Sequence, residues 1–182
     1  MRRRDFLMGA AAAASRQAEV RALTSGPKHH FFGYYGIPPW NKSGKSLVCL
    51  ESAFQDHLPS PGESAAIGLV DARTGVFRKV AETRAWNFQQ GAMLHWNPLQ
   101  PETEILYNER RGSNIISVGL DVESGKRREL PRAINGVSRN GRYAVCLTYG
   151  RLTRLRPVVS RIPASSPSHD RSASATTRRS RR

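Results

Sequence analysis

The chain has 182 residues, a hydrophobic fraction of 38% and a mean hydropathy of −0.52, which suits one ordinary domain with a modest core. Its formal charge of +15 is unevenly placed: residues 151–182 hold nine arginines against Asp170, while residues 21–150 are only mildly basic. That distribution argues against a nucleic-acid-binding body. Two cysteines, Cys49 and Cys146, exclude a disulfide framework and any Cys-x-x-Cys metal knuckle.

Residues 1–25 read as a targeting segment and linker. A basic start, Met1-Arg2-Arg3-Arg4-Asp5, precedes a short apolar run from Phe6 to Ala14 that is too brief to span a bilayer. Arg3-Arg4-Asp5-Phe6-Leu7 resembles the twin-arginine signal pattern, with Arg2 where Ser or Thr is usual. The resemblance implies a periplasmic or secreted protein with no membrane span. The alternative is an exposed N-terminal helix.

Residues 26–150 are expected to form the folded body. Its first segment, Pro27 to Trp40, concentrates His29, His30, Tyr34, Tyr35 and Trp40 with Phe31, Phe32 and two glycines. Aromatic faces suit sugar rings, and paired imidazoles can ligate a divalent metal or move protons. The competing reading is a strand that packs its aromatics, with both histidines simply hydrogen-bonded.

A repeated unit begins at Trp40: Asn41-Lys42-Ser43-Gly44-Lys45 leads into the apolar run Ser46 to Glu51. Gly and Asn supply the positive φ of a tight turn, and the β-branched and aliphatic run after it favours a strand. After an insertion carrying Asp56, His57 and Glu63, a companion unit reads Ile67-Gly68-Leu69-Val70-Asp71-Ala72-Arg73-Thr74-Gly75. Here Asp71 is placed to cap the turn amides and Gly75 to take the left-handed conformation. A further strand is expected over Val76–Val80.

Trp86 to Trp96 interrupts the pattern with Gln89, Gln90 and Gly91, followed by His95 beside Trp96, and supplies a second group of candidate ligand contacts. His95 alone reads equally as a structural residue. The repeat then resumes. Trp96-Asn97-Pro98, a turn two residues longer, precedes Glu104 to Glu109; Val118-Gly119-Leu120-Asp121 to Gly125 mirrors the companion, and a strand over Lys126–Leu130 follows. A third copy, Ser138-Arg139-Asn140-Gly141-Arg142, enters Tyr143 to Leu147. Cys49 and Cys146 lie five residues after Gly44 and Gly141, so both are expected as buried core thiols on equivalent strands.

Strand, turn, strand, Asp-turn-Gly, strand is the outline of a four-stranded propeller blade. Residues 37–150 resemble the TolB-like β-propeller repeats of bacterial exported proteins, in which a Ser-x-[Asp/Asn]-Gly-[Lys/Arg] turn precedes the strand; residues 138–142 match it fully. The fold class is therefore all-β: an incomplete β-propeller of about two to three four-stranded blades, of marginal stability because one sheet face is left open. An unrelated antiparallel sandwich is the alternative.

The Arg/Ser-rich segment 151–182 has no Gly or aromatic residue and is expected to be a disordered basic tail, read as a frame-shifted or truncated continuation of a longer repeat array. Without aromatics between its arginines, it is a poor nucleic-acid arm.

Functionally, the aromatic/His and Gln-Gln-Gly segments are read as a ligand site, with an oligosaccharide or a protein as partner. Similarity to the oligogalacturonate lyases would imply metal-assisted β-elimination, but no full ligand set matches, so catalytic and metal residues stay unassigned. The TolB-like resemblance implies instead a scaffold for protein contacts. No phosphate loop, nucleophile elbow or zincin helix is present.

Overall fold

A computed structural model describes residues 20–155. The Arg3-Arg4 segment and residues 156–182 lie outside the described residues. Among the described residues, ten strands form three antiparallel sheets. The first joins β1 (His29–Phe31), β2 (Ser46–Ser52), β3 (Ala65–Asp71) and β4 (Phe77–Thr83) in chain order. The second joins β5 (His95–Trp96), β6 (Glu104–Arg111), β7 (Asn114–Asp121) and β8 (Arg127–Leu130) in the same way. The third holds β9 (Ile134–Val137) and β10 (Ala144–Cys146), and one helix, α1 (Tyr149–Leu155), follows. Two complete meanders and the opening of another are the all-β, partial-propeller architecture expected from the repeats.

The repeat turns share one hydrogen-bond frame despite their different lengths. The amides of Asn41, Asn97 and Ser138 donate to the carbonyls of Ser46, Glu104 and Tyr143 at 2.9, 2.8 and 2.9 Å. The carbonyls of the same three residues accept from the amides of Gly44, Gln100 and Gly141 at 3.0, 2.9 and 2.8 Å. The two extra residues of the second copy are thus absorbed inside the turn, and the strand register after it is unchanged.

The companion turns are equally alike. Asp71 Oδ1 accepts from the amides of Arg73 and Thr74 and from the Thr74 hydroxyl. Asp121 Oδ1 accepts from the amides of Glu123 and Ser124 and from the Ser124 hydroxyl. Gly75 and Gly125 close the turns at φ 73° and 72°, a conformation that costs a residue with a Cβ about 1–2 kcal/mol. These hydrogen bonds, led by that of Thr74 or Ser124, hold each carboxyl below the ordinary aspartate value.

Alternation along the strands builds the core. Val48 and Leu50 of β2 and Ile67 and Leu69 of β3 face Ile105 and Tyr107 of β6 and Val118 and Leu120 of β7 in one cluster between the first two sheets. Leu106, on the opposite face of β6, packs with Met93 and Ile134 toward the third sheet. Polar links fix the same joints: Thr83 Oγ1 donates to the Asn108 carbonyl at 2.7 Å. The Asn108 amide donates to the Ile134 carbonyl at 2.9 Å, and its Oδ1 accepts from the Ile134 amide at 2.9 Å.

Two expectations are corrected. Cys49 is buried, but Cys146 is exposed, because β10 pairs only with β9 and no described strand lies outside it to cover that face. The basic segment does not become irregular at residue 151, since α1 runs across that position. Tyr149 is buried beside Ala133 and packs with Leu147 and Leu152, so an apolar pair one helical turn apart anchors the helix.

Candidate functional site

The two candidate segments meet through their backbones. Gly33, at φ 109°, comes so close that an added Cβ would lie 2.9 Å from the Gln90 carbonyl oxygen and the Gly91 nitrogen. Gly91 returns the contact: its Cβ would lie 3.1 Å from the Phe32 carbonyl oxygen. A side chain at Gly33 would displace that backbone, and both glycines also hold the positive φ that side chains disfavour. The segment after β1 therefore docks onto the Gln-Gln-Gly turn that precedes β5.

An aromatic cluster lies beneath this junction. Phe31 sits 5.7 Å from Trp86 and 5.2 Å from Phe88, and Trp86 meets Phe88 edge-on at 5.1 Å. Phe54, from the insertion, joins at 5.8 Å from Trp86 and stacks on His57 at 4.1 Å. The Trp86 indole donates to the Glu63 carbonyl at 2.9 Å, which ties the insertion down. His57 itself is exposed between Asp56 and Glu63, whose hydrogen bonds, Glu63 first, raise its pKa.

The other candidates separate into anchored and presented groups. His30 lies 3.2 Å from Glu51 Oε2 and 5.0 Å from the Phe77 ring, on the face of β1 opposite His29 and Phe31. Burial pushes Glu51 up, yet the hydrogen bonds and charges of Lys28 and His30 outweigh it and leave the carboxyl below its ordinary value. His29 is half-buried opposite Ser52 in the register of β1 with β2. Gln90 is buried; its amide donates to Asn87 Oδ1 at 2.6 Å, whereas Gln89 is exposed.

His95 Nδ1 lies 2.7 Å from the Met93 carbonyl oxygen. Burial lowers its pKa, and the Met93 hydrogen bond offsets part of that shift. Met93 is held at φ 52°, a left-handed conformation rare outside glycine, by a fully buried side chain packed with Leu106, Ile134 and the half-buried Tyr34. Trp96 is buried, and its indole donates to the Pro39 carbonyl at 2.8 Å.

What remains presented is aromatic. Phe32, Tyr35 and Trp40 are 49%, 81% and 43% exposed, whereas the backbone carrying them is pinned at Gly33, at Pro39 and by the Trp40–Leu47 bridge. Tyr34 and Tyr35 lie with ring centroids 5.5 Å apart. Among the described residues, no three His, Cys, Asp or Glu side chains converge as a metal cradle. His29, His30 and His95 have separate surroundings, so the structure does not assemble them into one site.

No family model and no curated protein matches the chain. Among solved structures, the crystal structure of TolB from Acinetobacter baumannii is similar to 59% of this chain, with a TM-score of 0.41 and 15% identity. The match covers 22% of that protein's chain. The blade architecture of the present chain is carried by its own sheets and turns.

A basic groove between the first two sheets was not anticipated from the sequence. Its residues are spread from Ser64 to Arg127, and in the one-dimensional pattern each reads as an ordinary solvated strand residue.

Proposed function

We propose that the chain is part of an exported propeller that binds a glycan on the aromatic surface of Phe32, Tyr35 and Trp40. The observation that carries this reading is the contrast within one segment. Its backbone is fixed by close contacts, while three large aromatic faces stay open to solvent. Rigid exposed rings lose little entropy when a sugar stacks on them, and exposed aromatics of this kind mark ligand surfaces. A lyase draws less support, because the histidines stand apart with partners of their own. Export is inferred from Arg3-Arg4-Asp5-Phe6-Leu7. Replacing both arginines by lysine should retain a fused reporter in the cytoplasm; unchanged export would remove that inference.

Trp40 is exposed whereas Trp86 and Trp96 are buried, so tryptophan emission reports on the proposed surface. Titration with neutral and acidic oligosaccharides should shift the emission saturably, and Trp40→Ala or Tyr35→Ala should abolish the shift. No shift across the panel, or one unaffected by both variants, overturns glycan binding there.

A second reading, a scaffold for protein contacts, is favoured by β10. Among the described residues its outer edge has no pairing strand, and Val145 and, just before the strand, Tyr143 are 63% and 67% exposed. A charged substitution, Val145→Lys, should abolish any association mediated by this edge.

A further inference from the structure

We propose that the groove between β4 and the β6–β7 hairpin is a binding site for a compact ligand bearing at least two oxyanion groups, held by Arg84, Arg110 and Arg127. The groove has a volume of about 770 Å³, within the range that encloses a small molecule rather than a single ion. One wall is β4 with Lys79 and Glu82, continued by Arg84. The other is formed by Glu109, Arg110 and Arg111 at the hairpin and by Arg127 of β8.

Five basic side chains face two carboxylates, and those carboxylates are already engaged. Glu82 pairs with Lys79 at 2.5 Å. Glu109 Oε1 accepts from the Arg110 amide at 2.7 Å and the Arg84 amide at 3.4 Å. Arg111 is paired with Glu129, which does not line the groove. Among the described residues, neither Arg84 nor Arg127 forms an ion pair, although both are exposed to the groove's mouth.

Two buried groups point the same way. The Arg110 residue is 7% exposed, and its guanidinium is disfavoured first by burial and then by the like charge of Arg84. An anion beside Arg84 would offset its like-charge cost to Arg110. Among the described residues the fully buried Tyr107 hydroxyl has no hydrogen-bond partner, and although it does not line the groove its electrostatic neighbours include the groove residues Arg127, Glu109 and Arg111. Arginine forks are the groups that recognise carboxylate or phosphate oxygens in a bidentate manner.

Calorimetry of the full chain at low ionic strength tests the proposal, with citrate and inorganic pyrophosphate as the two oxyanion probes and trimethyl citrate as the uncharged control. One saturable site is expected for at least one anion and none for the ester; the tighter anion tells whether carboxylate or phosphate is the natural group. Arg84→Gln combined with Arg127→Gln should weaken binding by at least about tenfold. Arg139→Gln combined with Arg142→Gln removes the same charge from the third repeat turn and should change it by less than about twofold. If the first pair fails to melt cooperatively, Arg84→Lys with Arg127→Lys replaces it and should still weaken binding severalfold, because the forks are lost while the charge stays. Equal losses in groove and turn variants, equal binding of the ester, or no saturable heat overturns the proposal.

Discussion

The Trp96 indole donates to the Pro39 carbonyl at 2.8 Å, and the same carbonyl accepts from the Val48 amide at 2.9 Å. One oxygen thus joins the inner strand of the second sheet to the segment that presents Tyr35 and Trp40. Trp96→Phe removes the N–H together with the pyrrole part of the ring, and Pro39 retains its second partner. The variant should lose about 1–2 kcal/mol in urea unfolding, from the hydrogen bond and the lost ring volume. Asn108→Ala strips three buried hydrogen bonds to Ile134 and Ser117 and should lose more, about 3 kcal/mol. Equal losses would mean that the second and third sheets are not joined through Asn108.

The two Asp-turn glycines differ in surroundings although their φ angles agree. A Cβ on Gly75 would lie 2.1 Å from the Leu23 carbonyl oxygen, whereas one on Gly125 meets nothing within 4 Å. Gly125→Ala should cost about 1 kcal/mol from the left-handed backbone alone. Gly75→Ala should cost distinctly more in the same thermal melts. Matching melting shifts would show that the Leu23 segment is not docked on that turn.

The two cysteines should separate in reactivity. Burial pushes the Cys49 thiol up to about 12, with the Glu51 charge adding to the shift, while Cys146 is exposed. Thiolate is the reactive form, so an aromatic disulfide reagent should titrate one thiol in the native protein and two after denaturation. Two fast-reacting thiols in the native state would contradict the packing of β2.

Histidine titrations should move in opposite directions from the ordinary value of 6.5. The Glu63 and Asp56 hydrogen bonds raise His57, so its small contribution is full at acid pH and fades as pH rises through the folded value. Burial lowers His95, so the unfolded chain takes up that proton more readily. Its contribution is present above the unfolded value and lost as pH falls through the folded one. NMR titration of the ring protons should give His57 the higher midpoint; the reverse order would place His95 in solvent.

The blades were legible because their turns are written locally. Asp71 with Gly75, Asp121 with Gly125, and Ser138 with Gly141 each declare a turn within a few residues, and the apolar runs beside them declare strands. The inner strands were harder. β1 and β5 span three and two residues, too short for alternation to register, and only docking against β2 and β6 defines them. Cys146 misled because equivalence in sequence does not guarantee a covering strand. Within the candidate segments, the sequence could not say that Gln90 and Trp96 are buried and His95 half-buried while Tyr35 and Trp40 stay open. Burial depends on contacts from Asn87, Met93 and Pro39, and no spacing rule encodes those.

Nuclear Overhauser contacts between backbone protons test the blade architecture most directly. Cross-strand contacts are predicted for Leu50 with Ile67, Ile67 with Ala81 and Leu106 with Gly119, with none joining β4 to β5. A ladder of contacts running from β4 into β5 would make one continuous sheet and contradict the separate blades.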